Sequence, residues 1–370
     1  MLIHEYPRLT IDLGHLKENV EYYVRRCAEH GISVAGVIKG MNGIPELSRM
    51  FDLGGCAQIA SSRIEQIAAC RGDTISGKPC MMIRIPMLSE VPDVIRWTDY
   101  SLNSDPDVLR ALDAEAARQG KCHKVVIMAD LGDLREGFWD KNELVKTCVW
   151  VERDLAHLEL AGVGTNVGCY GSVLPTAEKL QELVELARKV EEAIGRKLEI
   201  VSGGATSSFL RVADGTIPEG INHLRCGEGI LLARDLPLYY GLQLPDMHHD
   251  VFTFEAEIVE VKEKPSYPVG EIGVDAFGHR PHYEDRGMRL KAIAAAGRVD
   301  YGDPQDLFPR DPGVTVLGAS SDHTILDITD SETQYRTGDI IRFDVNYGSN
   351  VFLTASRNVR HHFVNDPERS

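Results

Sequence analysis

Ser33-Val-Ala-Gly-Val-Ile-Lys39-Gly-Met-Asn-Gly43 is a short apolar run that delivers one lysine into a glycine-flanked turn. A lysine at the end of a buried strand has reach, a rigid mount and partial desolvation, which together make an amine nucleophilic at neutral pH. The same residue serves equally as a strand-end lysine whose stem packs and whose head reaches water. The chain on either side decides between these readings.

Upstream, residues 12–30 place Leu13, Leu16, Val20, Val24 and Cys27 at helical spacing, and Gly31 supplies the stop. Downstream, apolar runs at 56–60, 80–85, 100–103, 124–130, 158–164, 197–201 and 222–225 alternate with helical patterns. Ser104-Asp-Pro-Asp107 predicts an N-cap with Ser104 leading, and Gly120 and Gly195 predict helix stops. Counting the Lys39 run, eight short apolar strands alternating with helices predict a parallel sheet covered on its outside, the period of a (β/α)8 TIM barrel. An open doubly wound sheet is the alternative, but no GxGxxG follows the first run. The fold class is therefore α/β, with the barrel assigned to residues 1–235. Beyond it, alternating runs near 252–262, 290–296, 314–318 and 340–346 predict a β-rich C-terminal domain over 236–370.

At 370 residues the chain is long for one domain. A formal net charge of −16 disfavours nucleic acid as a partner, since no basic surface stands ready to neutralise phosphates. No apolar run is long enough to span a bilayer and the first residues lack a signal-peptide pattern, so a cytoplasmic protein without membrane attachment is expected. Eight cysteines without CxxC spacing read as reduced structural thiols. The His248-His249 and His361-His362 pairs lack further ligands at useful spacing, so no metal is expected.

In such a barrel the residues just after each strand converge on one mouth. Here they are Lys39, Ser61, Arg84, Asn103, Asp130 with Arg135, Asn166, the 202–208 turn and Arg225. Ser202-Gly-Gly-Ala-Thr-Ser-Ser208 exposes backbone N–H groups suited to a phosphate, or is an ordinary serine-capped turn. Arg225-Cys-Gly-Glu-Gly229 adds a second flexible backbone beside it. A lysine nucleophile at the first strand and a phosphate cradle after the seventh and eighth are what pyridoxal 5'-phosphate requires.

With these residues in place, the chain resembles the alanine racemase family of fold type III pyridoxal phosphate enzymes, in particular its ornithine racemase-like branch, over essentially its whole length. Val37-Ile-Lys39 with its glycine turn resembles the family's Schiff-base lysine segment. Ala129-Asp-Leu-Gly-Asp-Leu-Arg135 resembles the segment whose arginine binds the substrate carboxylate. Leu224-Arg225-Cys-Gly227 is similar to the segment whose arginine faces the pyridine nitrogen while the backbone after it, at Gly227 and Glu228, holds phosphate. Ser207 matches the phosphate-binding serine, and Val345-Asn-Tyr347 resembles the segment whose tyrosine reaches the phosphate. Ser320-Ser-Asp322 resembles the one that crosses from a partner subunit to the substrate carboxylate.

Three departures stand out. Gly43 occupies the position of a phosphate-binding tyrosine, Asn166 stands where a histidine is expected, and 270–278 lacks the tyrosine that serves as second base. Asp275, Asp322, His323 and Tyr283 are candidates for that second acid/base, Asp322 being the one placed with Lys39 and Arg135 as catalytic. The resemblance implies racemisation of ornithine or another basic amino acid, with a homodimer in which each second domain completes its neighbour's site. A decarboxylase of the same fold type is disfavoured by Arg225 and by the absence of any cysteine after Cys226. A non-catalytic pyridoxal phosphate carrier is disfavoured by the large second domain.

Overall fold

The computed structural model describes residues 5–72, 74, 75, 77–274, 277, 278, 280 and 282–368. The first strand of the chain is β1 (Arg8–Asp12). The next eight are β2 (Ser33–Val37), β3 (Gln58–Ser61), β4 (Cys80–Met82), β5 (Tyr100–Asn103), β6 (His123–Ala129), β7 (Leu158–Thr165), β8 (Ile200–Ser202) and β9 (His223–Cys226). They pair in parallel, in chain order, and β9 closes on β2 with Ala35 opposite Arg225. The predicted barrel is thus present, and its interior is filled by Ala35, Val37, Ala60, Met81, Leu102, Val126, Met128, Ala161 and Ile200.

The connecting helices follow from local chemistry. Ala177–Ile194 buries Leu180, Leu183, Val184, Ala187 and Val190, is capped by the Thr176 side chain, and ends at Gly195 with φ 78°. In Pro106–Gln119 the cap is Asp105, not Ser104: Pro106 takes the first helical position, so the preceding carboxylate accepts from the amides of Asp107 and Val108. Among the described residues no helix is long and apolar enough to cross a membrane.

The chain divides into two compact units, His15–His248 and a second made of Met1–Gly14 with His249–Ser370. This corrects the expected single break at 235. Residues 8–12 form a strand of the second unit, because β1 pairs antiparallel with β10 (Phe252–Pro265) and parallel with β16 (Arg360–Val364). The remaining strands of that unit are β11 (Met288–Ala294), β12 (Leu307–Pro309), β13 (Thr315–Ala319), β14 (Thr324–Asp327) and β15 (Ile340–Val345). They run in the order β12-β15-β10-β11-β14-β13. Phe254, Phe343 and Tyr301 pack at the centre of this unit. Glu255, 3% exposed, binds its sheet together by accepting from Arg8 and Thr10 on β1 and from Arg342 on β15, the two strands that flank its own.

Candidate functional site

Lys39 stands two residues beyond β2, at the start of a 3-10 turn spanning Lys39–Met41. Ile38 still pairs with Ala60 through its N–H, and Ile38, Gly40 and Met41 are buried, so the lysine is mounted on rigid backbone. Burial lowers the pKa of its amine, and the Arg135 guanidinium acts in the same direction. The turn closes at Gly43, where φ is +66° and an added Cβ would come within 2.6 Å of Gln66 Cβ. No side chain fits there, and the Gln66 carboxamide covers the turn, bonded to Ser61 and Asn42. The missing tyrosine thus has a steric reason.

Arg135 is carried by the loop after β6. Asp130 Oδ1 accepts from the amides of Gly132 and Leu134, and Phe138 N–H returns to Met128 O at 2.8 Å, so the loop doubles back on its own strand. Buried Asp133 ties this loop to the one after β7, accepting at Oδ1 from the amides of Gly168, Cys169 and Val173 at 3.1–3.3 Å. The Arg135 guanidinium grips Glu136 through Nε and, at 2.6 Å, Nη2, and donates from Nη1 to Cys169 Sγ.

Arg225 lies wholly buried in β9, donating to Ser202 Oγ and to Thr165 O at 2.8 Å. Burial draws its pKa down to about 10. Ser202 Oγ, accepting from Arg225, gives its own proton to His223 Nδ1 at 2.8 Å, which leaves the Nε2 proton of His223 facing Gln58 Oε1 at 3.2 Å. Burial lowers the His223 pKa to about 3, so this imidazole is neutral.

Asn166 follows β7 directly, and its buried Nδ2 has no hydrogen-bond partner. Ser207 donates to Val167 O at 2.8 Å. Gly227 opens the segment Glu228–Leu231, and a Cβ on it would meet Val37 at 3.1 Å. The Glu228 side chain turns from this backbone to accept from Asp235 N–H, and burial raises its pKa to about 8.

At two other strand ends, Arg84 and the amide nitrogen of Asn103 are engaged within the fold, while Asn103 Oδ1 is buried without a partner. Arg84 holds Glu90 with two 2.8 Å bonds, and Asn103 donates to Ser101. A cavity of about 650 Å³ opens at the opposite end of the barrel, but its charges are paired as Arg71 with Asp99 and Lys124 with Glu199. Asp322 and Tyr347 belong to the second unit. Asp322 is exposed in the turn between β13 and β14, and Tyr347 opens the helix Tyr347–Ala355 behind the capping side chain of Asn346. His323 and Tyr283 are also exposed, and Asp275 lies outside the described residues. Glu136, Cys169, Asp133 and His223 were missed by sequence reasoning; the adjacency of Glu136 to Arg135 was the one available signal.

A lysine, a carboxylate-gripping arginine and a glycine-edged backbone at the mouth of a closed parallel barrel, followed in sequence by a β-rich unit, define a class. The chain belongs to the alanine racemase family, whose N-terminal domain model matches residues 11–235. It is 42% identical to the ornithine racemase of Acetoanaerobium sticklandii over 344 residues, 93% of this chain and 96% of that one. It is 39% identical to the lysine racemase of Thermotoga maritima, across 92% and 94% of the two chains. Among solved structures, the alanine racemase of a D-cycloserine-producing Streptomyces lavendulae superposes with a TM-score of 0.71 at 16% identity, covering 98% of each chain. The D-threonine aldolase of Filomicrobium marinum reaches 0.71 at 15%, covering 95% of this chain and 89% of that one, and so shares the fold.

Proposed function

We propose that the protein interconverts the enantiomers of ornithine or another basic amino acid with pyridoxal 5'-phosphate as cofactor. The observation that carries this is the half-buried Lys39 amine, its pKa depressed beside Arg135, in a chain 42% identical to an ornithine racemase. The residues present fit the cofactor: Asn166 offers a buried amide proton without a partner, and Gly227, pressed against Val37, brings the backbone after it close to the end of β2 that precedes Lys39. Lys39, Asn166, Ser207, Arg225 and the backbone at Gly227 and Glu228 would hold it, with Tyr347 at the phosphate. When bound, pyridoxal phosphate supplies an electron-withdrawing ring that acidifies the α-hydrogen of an attached amino acid.

The chain's own residues then divide the work. Arg135 binds and orients the substrate carboxylate, for which its planar fork is suited. Lys39 takes the α-proton at Nζ on one face and returns it there, a task that burial favours by raising the share of free amine at neutral pH. Arg225 keeps its proton at neutral pH, so it cannot protonate a ring nitrogen beside it. Asp322 is assigned to the opposite face from a neighbouring subunit, with His323 and Tyr283 as alternatives. A homodimer follows from that assignment. A reducing, cytoplasmic setting suits eight free cysteines, six of them buried.

Chiral chromatography of the cofactor-loaded protein against L- and D-ornithine, lysine, alanine and serine tests the reading. Interconversion of a basic amino acid, lowered by on the order of 10³-fold in Lys39→Ala, is expected. Absence of any enantiomer across the panel would overturn it.

A further inference from the structure

We propose that Glu136 selects the substrate by its second amine, exchanging its hold on Arg135 for the side-chain ammonium of a diamino acid. The inference rests on the racemase reading and names the group that sets its specificity. Glu136 is 16% exposed and is the carboxylate that Arg135 grips through two nitrogens. Its charge acts on both Lys39 and Arg225, which places it among the cations of the mouth rather than on the outer surface. Asp130 and Asp133 fix the loop that carries it, so it is presented from a rigid mount.

Charge balance at Arg135 drives the exchange. An incoming α-carboxylate competes with Glu136 for the same guanidinium. Once Arg135 turns to the substrate, a half-buried carboxylate is left without its cation, which is costly in a partly desolvated site. An amino acid with an alkyl side chain offers nothing in return. Ornithine brings a second ammonium about 6 Å from its carboxylate at full extension, and adjacent residues have Cα atoms about 3.8 Å apart, so one molecule spans both partners. One ion pair is thereby replaced by two.

Steady-state kinetics with L-ornithine and L-norvaline, which has the same carbon chain without the amine, read the effect in wild type, Glu136→Gln and Glu136→Asp. Glu136→Gln is expected to raise KM for ornithine roughly tenfold or more, with kcat largely kept, and to leave norvaline unchanged or improved. Glu136→Asp keeps the charge and draws it back by one methylene, so it is expected to shift the preference from ornithine toward lysine. Calorimetric titration of both amino acids into the Lys39→Ala protein, with and without Glu136→Gln, reads binding apart from turnover. There a preference for ornithine that disappears with Glu136→Gln upholds the assignment even if wild type racemises nothing, in which case only the racemase reading falls. An equal rise in KM for ornithine and norvaline would mean that Glu136 merely steadies Arg135. That result, or an ornithine preference that survives Glu136→Gln, overturns the proposal.

Discussion

Lys39 illustrates how one residue is set against the stability of its own fold. Its amine has a lowered pKa because burial and Arg135 disfavour the charged form, so the folded state gives up its proton more readily than the unfolded chain. Below the lowered folded value both states are protonated and the cost is fully present. Stability is regained as pH rises through that value toward the ordinary lysine value of 10.5, where the unfolded chain also loses its proton. In the cofactor-free protein, Lys39→Met is therefore expected to raise Tm at pH 7 by about 2 °C. The gain should shrink as the pH approaches 10, as differential scanning calorimetry would show. Lys39 was legible in the sequence because an apolar run ended on it, whereas Cys169 and Glu136, which also act on its amine, were not.

At the scale of elements, the site is built from loops, and Asp133 is what makes two of them one body. Its single oxygen Oδ1 receives three amides from the loop after β7 while its own loop carries Arg135 and Glu136. Asp133→Ala should leave those amides without an acceptor and cost about 3 kcal/mol, measured as a lowered urea midpoint. Asp133→Asn, which keeps an oxygen but loses the charge, should cost about 1 kcal/mol. Both should raise KM more than they lower kcat, because Arg135 loses its mount before Lys39 does. The alternation of apolar runs and helices was readable since period and capping are local properties. Which acid staples two loops 35 residues apart depends on strand neighbours that only barrel closure supplies.

For the molecule as a whole, the two ends of the chain meet in one sheet. β1 lies between β10 and β16, and Arg8 and Thr10 share Glu255 with Arg342. Arg8→Ala is expected to weaken the second unit by about 2 kcal/mol while leaving the barrel unit unchanged. Hydrogen exchange would register this as faster exchange in β10 and β16 with unaltered protection in β2 to β9. Uniform loss of protection across both units would contradict it. Residues 8–12 do alternate, with Leu9 and Ile11 buried, but so short a run beside a long helix is silent about which sheet it joins.

From its sequence alone the protein declared a barrel, a β-rich second unit, the lysine and two arginines, because hydrophobic period, glycine stops and strand-end position are written locally. Tertiary structure alone decided that the first strand belongs to the second unit, that Gly43 excludes a tyrosine, and that Glu136, Asp133 and His223 stand behind the cations of the mouth. Those facts depend on which distant backbones touch, and contact between residues far apart in the chain is fixed by strand order and close packing rather than by any local pattern.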